Sequence, residues 1–265
     1  MPPHTVFIVG AGASVPFHLP TGTGLRDRLC DQGLVDSYAT TLRSLFPISD
    51  LEDVIHSFRR VADNITRSGC DSIDSYLESN PEHEKIGKLM IAASLLPDEV
   101  AAIKSPSPGW NWIGWIFNKI RDFSLWESDS WPVGFITFNY DRILEFALRD
   151  MLHLRLKKSI HEASRIVQSA PIVHVYGKFT DLAENDRYSP LDEQARDMWN
   201  TLTPLHYRRA EEGIDLLSAT RTSDHSSDRS TAANTMLQTA ETVIFLGFGF
   251  DSTNLSRLGV SAQGA

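Results

Sequence analysis

Four hydrophobic runs, each closed by a cluster of glycine or polar residues, set the main constraint on this chain. They are Val6-Phe7-Ile8-Val9 before Gly10-Ala11-Gly12-Ala13-Ser14, Phe135-Ile136-Thr137-Phe138 before Asn139-Tyr140-Asp141, Ile172-Val173-His174-Val175 before Tyr176-Gly177-Lys178, and Val243-Ile244-Phe245-Leu246 before Gly247-Phe248-Gly249-Phe250-Asp251. Short apolar runs rich in Val, Ile and Phe suit strands buried on both faces of a parallel sheet, whose ligands bind beyond the carboxyl ends of the strands. All four clusters then meet along one edge. The expected class is α/β, a Rossmann-like parallel sheet flanked by helices.

Composition narrows the possibilities. With 265 residues, 42% of them hydrophobic and 22% charged, the chain can fold as a single domain over residues 1–265 that carries a helical insertion. Cys30 and Cys70 are its two cysteines, too few for a disulfide scaffold or an all-cysteine zinc site, and they suit a reducing cytosol. A formal charge of −9 argues against a general nucleic-acid surface, which needs clustered Lys and Arg. The short basic run at Arg155, Lys157 and Lys158 reads as a solvated helix face. No apolar stretch is long enough to span a bilayer, and no basic region precedes the first apolar run, so a soluble, cytoplasmic protein is expected.

Between the first and second runs the pattern turns helical. A first helix is expected from Gly24 or Leu25, and an insertion within the domain from 36 to 130. There Leu51, Val54, Ile55, Phe58 and Val61 recur every three or four residues, which makes one apolar helix face. Pro106, Pro108 and Gly109 break the insertion before a tryptophan-dense stretch with Trp110, Trp112, Trp115, Trp126 and Trp131. Residues 110 to 120 are apolar almost all round, which fits either a buried helix or a subunit interface. Residues 218–235, rich in Ser, Thr, Asp and Arg, read as a mobile loop.

Three elements carry chemistry. A tight Gly-Ala-Gly after a buried strand lets backbone approach a pyrophosphate, with a helix amino terminus behind it, although Val15 stands where the dinucleotide fingerprint has a third glycine. The same turn is also compatible with a purely structural role. At Asn139-Tyr140-Asp141, local capping and turn formation compete with a site in which Asn139 holds water or a ribose hydroxyl and Asp141 favours a cationic transition state. His174, near a strand end, is either a satisfied core residue or a general base. No histidine spacing suggests a metal, and none is expected.

Together these pieces resemble the sirtuin-like family, the silent-information-regulator-two-like domains, and especially its bacterial antiviral NAD-degrading effectors. The resemblance rests on Gly10-Ala-Gly-Ala-Ser14 with Leu19-Pro-Thr-Gly22, Ser72-Ile-Asp-Ser-Tyr-Leu77, Ile136-Thr-Phe-Asn-Tyr-Asp141, His174-Val-Tyr-Gly177 and Leu246-Gly-Phe-Gly-Phe-Asp251, in that order. It implies that Gly10, Ala11, Gly12 and Ser14 hold the NAD phosphates, with Thr21, Gly22 and Tyr176 also at the nucleotide. Gly247 and Gly249 would approach the adenosine half, and Asn139 and Asp141 would flank the nicotinamide ribose. Asp74 would either come near the pocket or remain an exposed helix carboxylate. Two departures stand out. The four zinc-binding cysteines and the Asp-Phe-Arg of deacylating sirtuins are missing, and Tyr176 directly precedes Gly177 where the family carries its catalytic histidine.

The resemblance implies an NAD hydrolase that cleaves the nicotinamide–ribose bond, with catalytic Asn139, His174 and Asp141. It also implies a toxic, NAD-depleting effector of anti-phage abortive infection, switched on by a separate sensor protein or by homo-oligomer assembly. An ADP-ribosyltransferase and a non-catalytic NAD-binding regulatory subunit are the alternatives.

Overall fold

The computed structural model describes residues 4–46, 51–70, 72–120, 131–179, 202–215, 224–250 and 252–259. All four expected runs form strands: β1 (Thr5–Val9), β2 (Val133–Thr137), β3 (Ile172–His174) and β4 (Thr242–Leu246). They make one all-parallel sheet in the order β3-β2-β1-β4. Val9 is in register with both Thr137 and Leu246, and Thr137 with His174. The register therefore brings the polar and glycine clusters side by side at one edge, as a parallel sheet requires.

Side chains alternate across the sheet and divide the core in two. Val6, Ile8 and Ile136 face α1 (Gly22–Cys30), α2 (Gln32–Leu42), α3 (Leu51–Ser68), α4 (Ile73–Ser79) and the first half of α5 (Glu84–Lys104). Phe7, Val9 and Phe135 face α6 (Asn111–Lys119), α7 (Ile143–Leu156) and α8 (Ile160–Gln168). The long α5 serves both: Leu89 to Leu96 pack in the first cluster and Val100 to Ile103 in the second, with the solvent-facing Pro97 between them. The fold is thus α/β with a Rossmann-like parallel sheet flanked by helices.

Two edges differ from expectation. The runs were expected to be buried on both faces, yet Val243, Ile244 and Phe245 of β4 are each more than a third exposed. β4 is the outer strand of the sheet, and helices cover only the central β1 and β2 completely. β3, at the opposite edge, is half-buried until His174.

The helical region also has different borders. Thr21 accepts the Gly24 amide and starts α1 at Gly22, and Asp31 accepts the Leu34 amide to start α2, which runs straight through 36. No boundary falls at 36, because α1 to α5 share one core with the sheet. The far border, 121–130 with Trp126, lies outside the described residues. The α3 face is as expected, with Val54, Phe58 and Val61 buried. α6 is not apolar all round in use: Ile113, Ile116 and Phe117 are buried while Trp115 is 60% exposed beneath Lys119. The mobile loop expected over 218–235 is corrected in its described part. Residues from 224 on belong to α10 (Asp224–Thr239), which follows α9 (Pro204–Gly213) and whose Ala233, Met236 and Leu237 form a narrow apolar stripe on the core; 218–223 lie outside the described residues. Among the described residues no helix is long and apolar enough to cross a membrane.

Candidate functional site

The carboxyl edge begins with two glycine turns packed backbone to backbone. A Cβ on Gly10 would lie 2.6 Å from the Gly247 carbonyl oxygen, and one on Gly12 would lie 2.9 Å from Gly247. Gly247 itself has φ +56 and would press a Cβ into Gly12 and Ala13. The Gly10 amide donates to Leu246 O at 2.9 Å, and the Gly12 amide to Gly247 O at 3.0 Å. These glycines are therefore explained by close turn-on-turn packing, and both amides are occupied within the protein. The turn leads into a 3-10 helix, Ala11–Phe17, and α1 starts only at Gly22, so the glycine turn does not feed directly into an α-helix. Thr21 and Gly22 are exposed, and the space around Gly249 is open.

Asn139-Tyr140-Asp141 leaves β2 with alternate side chains on opposite sides. Asn139 Nδ2 donates to Gly10 O at 3.2 Å and to Ser14 Oγ at 2.9 Å, and Ser14 Oγ donates to Asp141 Oδ2 at 2.9 Å. The Ile143 amide donates to Asp141 Oδ1 at 3.2 Å, so Asp141 also anchors the start of α7, whose N-cap is Arg142. All three side chains are buried, and Asn139 Oδ1 has no hydrogen-bond partner among the described residues. Burial, and secondarily the nearby Glu99 carboxylate, raises the Asp141 carboxyl to about 6; the Ser14 and Ile143 hydrogen bonds oppose this only in part. Glu99, fully buried on α5, accepts from the Arg142 amide, Nε and Nη2, the last at 2.8 Å.

His174 ends β3 beneath this turn, 6% exposed. Its Nδ1 lies 2.9 Å from the Asn139 carbonyl oxygen and its Nε2 2.9 Å from Glu145 Oε1. Lys178 Nζ lies 3.4 Å from the same Glu145 oxygen. Burial alone would raise the Glu145 carboxyl, but His174 and Lys178 outweigh it and hold the group down at about 2. Ser14, Asn139, Asp141 and His174 line one small cavity of about 10 Å³, together with Phe17 and Trp112. That is room for about one water. Trp112 is held in place by its own indole N–H, which donates to Ala13 O at 2.8 Å.

Tyr176 and Asp74 lie on the other side of the turn. Two residues along a strand keep the same face, but β3 stops at His174 and the chain turns, the Gly177 amide donating back to His174 O at 3.2 Å with Gly177 at φ +73. Tyr176 consequently packs among Phe138 and Tyr140 under the Arg257 guanidinium, and its hydroxyl donates to Asn254 at 2.8 Å. Arg257 and Asn254 belong to α11 (Ser252–Arg257). Tyr140 donates to Asp74 of α4. Asp74 is thus neither a free surface carboxylate nor a wall of the cavity.

Of the expected site, then, Ser14, Asn139, Asp141 and His174 come together; Tyr176 and Asp74 form a separate polar group; and Gly10, Gly12 and Gly247 pack against each other. Glu145, Glu99, Phe17 and Trp112 were missed. Glu145 left one trace in the sequence, a carboxylate on the apolar helix that follows Asp141, set among Leu144, Ala147 and Leu148. Among the described residues no group of three or more His, Cys, Asp or Glu could hold a metal ion. No family model, curated protein or solved structure matches the chain.

Proposed function

We propose that this protein is an NAD hydrolase, a sirtuin-like enzyme that cleaves the nicotinamide–ribose bond at the Asn139, Ser14 and Asp141 cluster. One observation carries the reading. A buried amide with an unpartnered oxygen and a carboxyl raised to about 6 share one cavity at the carboxyl edge of a parallel sheet. In the reaction the C1′–N bond breaks and its electron pair leaves with nicotinamide. The cationic ribosyl carbon forms beside the Asp141 carboxylate, which favours it electrostatically. A water held by Asn139 Oδ1 attacks C1′ and gives up its proton to Asp141, leaving ADP-ribose.

The expected base, His174, has both ring nitrogens engaged by protein groups, Asn139 O and Glu145, so the proton goes to Asp141 in this reading. A cavity that holds one water does not hold nicotinamide, so substrate entry requires residues of its lining to move. A closed resting state suits a toxic NAD-depleting effector of anti-phage defence, released by a sensor protein or by self-assembly, as the resemblance implies. A second reading, a nucleotide-binding regulator without turnover, draws on the glycine turns, whose packing accounts for Gly10, Gly12 and Gly247 with no ligand. Incubation with NAD, with and without the protein encoded next to it, followed by chromatography, separates the two. Nicotinamide and ADP-ribose in equal amounts support the hydrolase; intact NAD together with measurable NAD binding supports the regulator. Label from NAD appearing on protein or nucleic acid would point to ADP-ribosyl transfer.

A further inference from the structure

We infer that Glu145 is a positioning residue of this site: it holds His174 as a doubly protonated clamp on the Asn139 peptide, and so aims the Asn139 side chain. The inference rests on the proposed hydrolysis for its kinetic arm only. Its geometry stands independently.

The carbonyl oxygen of Asn139 can only accept, so His174 Nδ1 must carry a hydrogen at that 2.9 Å contact. The other nitrogen faces Glu145 Oε1 at 2.9 Å. Two arrangements satisfy that second contact: a protonated carboxyl donating to a neutral ring, or a carboxylate accepting from a ring protonated on both nitrogens. Lys178 favours the second, because its ammonium lies 3.4 Å from the same oxygen and stabilises a negative charge there. An ammonium this close favours the charged carboxylate over the neutral acid, and the imidazole opposite a carboxylate donates from both nitrogens. Three elements are tied by this arrangement: α7 through Glu145, the end of β3 through His174, and the turn after β2 through Asn139 O. Both His174 and Glu145 are almost fully buried, so water does not loosen the clamp.

The Asn139 side chain depends on that peptide. Its Nδ2 reaches Gly10 O and Ser14 Oγ, which leaves Oδ1 without a partner beside the cavity. Release of the carbonyl from the ring would free the main chain of the turn to shift and carry the amide away from Ser14, and small misplacement of a reacting group is costly in rate. His174 on this account touches no substrate and works through the backbone.

Nitrogen NMR on protein labelled in its histidine rings tests the clamp directly, with His174→Gln used to assign the signal. At pH 7 the wild type should show both His174 nitrogens protonated, and Glu145→Gln should convert the ring to a single neutral tautomer. A neutral His174 in the wild type, or a doubly protonated one in Glu145→Gln, overturns the inference whether or not NAD is hydrolysed. In the kinetic arm Glu145→Gln should lower kcat by about 10²-fold with KM nearly unchanged, and Glu145→Asp, which keeps the charge, should recover part of the loss. Wild-type kcat in Glu145→Gln, with the tautomer changed, would leave the clamp in place and refute its part in positioning. Absence of turnover in every variant and the wild type counts against the hydrolase, and the NMR result still decides the clamp. Circular dichroism shows whether each variant is folded.

Discussion

The two sides of the Asn139-Tyr140-Asp141 turn are built on opposite terms. On one side, short polar groups from three segments converge on a cavity, with a buried carboxyl pushed up to about 6 and an amide oxygen without a partner among the described residues. On the other, Tyr140 and Tyr176 bury their rings against Phe138, Phe179 and Arg257 and give both hydroxyls to partners, Asp74 and Asn254. Satisfied aromatic packing stabilises; a buried charge-bearing group beside an unsatisfied neighbour does not. Alternate residues of one short turn therefore serve different ends, and substitutions on the two sides should separate activity from stability.

The largest effect is expected at Asn139. Asn139→Ala should lower NAD turnover by about 10³-fold, the scale of losing a preorganised polar group at a reacting centre, with the fold retained. Tyr140→Phe, the next residue, should leave turnover within a few-fold and weaken the fold. Kinetics and thermal unfolding on the pair check this, and a Tyr140→Phe protein as inactive as Asn139→Ala would break the division between the two sides.

Next in size is Glu99→Gln. Glu99 is the buried carboxylate that accepts three donors from Arg142, and weakening such a pair costs about 3 kcal/mol or more. Denaturant unfolding should show that loss. The same change removes a negative charge that helps to raise Asp141, so Asp141 should titrate lower in the variant. A stability loss under about 1 kcal/mol would mean that the pair contributes little beyond its own desolvation.

How much of this could be read from the sequence differs with the range of the interaction. The sheet, its parallel sense and the meeting of the four clusters followed from hydrophobic runs and what closes them, because a buried strand needs apolar residues on both faces. The α3 face followed from spacing for the same local reason. What was not legible depends on neighbours distant in the chain. The exposure of β4 is set by its place in the strand order, and the Gly10–Gly247 contact joins two turns more than two hundred residues apart. Residues two apart share a face only while a strand continues, and β3 ends at His174, so Tyr176 turns away from it. Glu145 appeared as one polar residue in an apolar helix; only the fold reveals that His174 and Lys178 converge on it.

Asp141 and Glu145 allow the comparison to be sharpened within the cavity side itself. They are two buried carboxyls on neighbouring turns, one raised to about 6 and the other lowered to about 2. For Asp141 the folded value lies above the unfolded 3.8, so the folded state binds the extra proton between about 4 and 6. Stability from this group is present at low pH and is lost as pH rises through 6, by roughly 3 kcal/mol in full. For Glu145 the folded value lies below 4.5, so its contribution is present above that pH and is lost as pH falls toward 2. Asp141→Asn should therefore be more stable than the wild type at pH 8, by about 1–2 kcal/mol after the loss of its hydrogen bond from Ser14, and the advantage should shrink toward pH 4. Thermal unfolding across that range checks the sign. An advantage that grows on acidification would show that Asp141 is not the raised group.

The smallest effect should come from Tyr176→Phe, and it bears most directly on how the chain departs from the family it resembles. If the phenol had taken over the place of the family histidine, removing its hydroxyl would be severe. The structure directs that hydroxyl to Asn254 at 2.8 Å, on the far side of the turn from Asp141, and keeps the ring in the Phe138 and Arg257 stack. Phe preserves the stack and deletes one buried hydrogen bond, which leaves the Asn254 oxygen with one donor fewer at a cost of about 1 kcal/mol. Turnover should stay within about twofold, well under the 10²-fold expected of a lost general acid or base. Unfolding midpoints and kcat/KM measured on the same preparation decide the matter. A collapse of kcat with an unchanged midpoint would move the reacting centre to the Tyr176 side and leave the Asn139 cavity as a structural pocket.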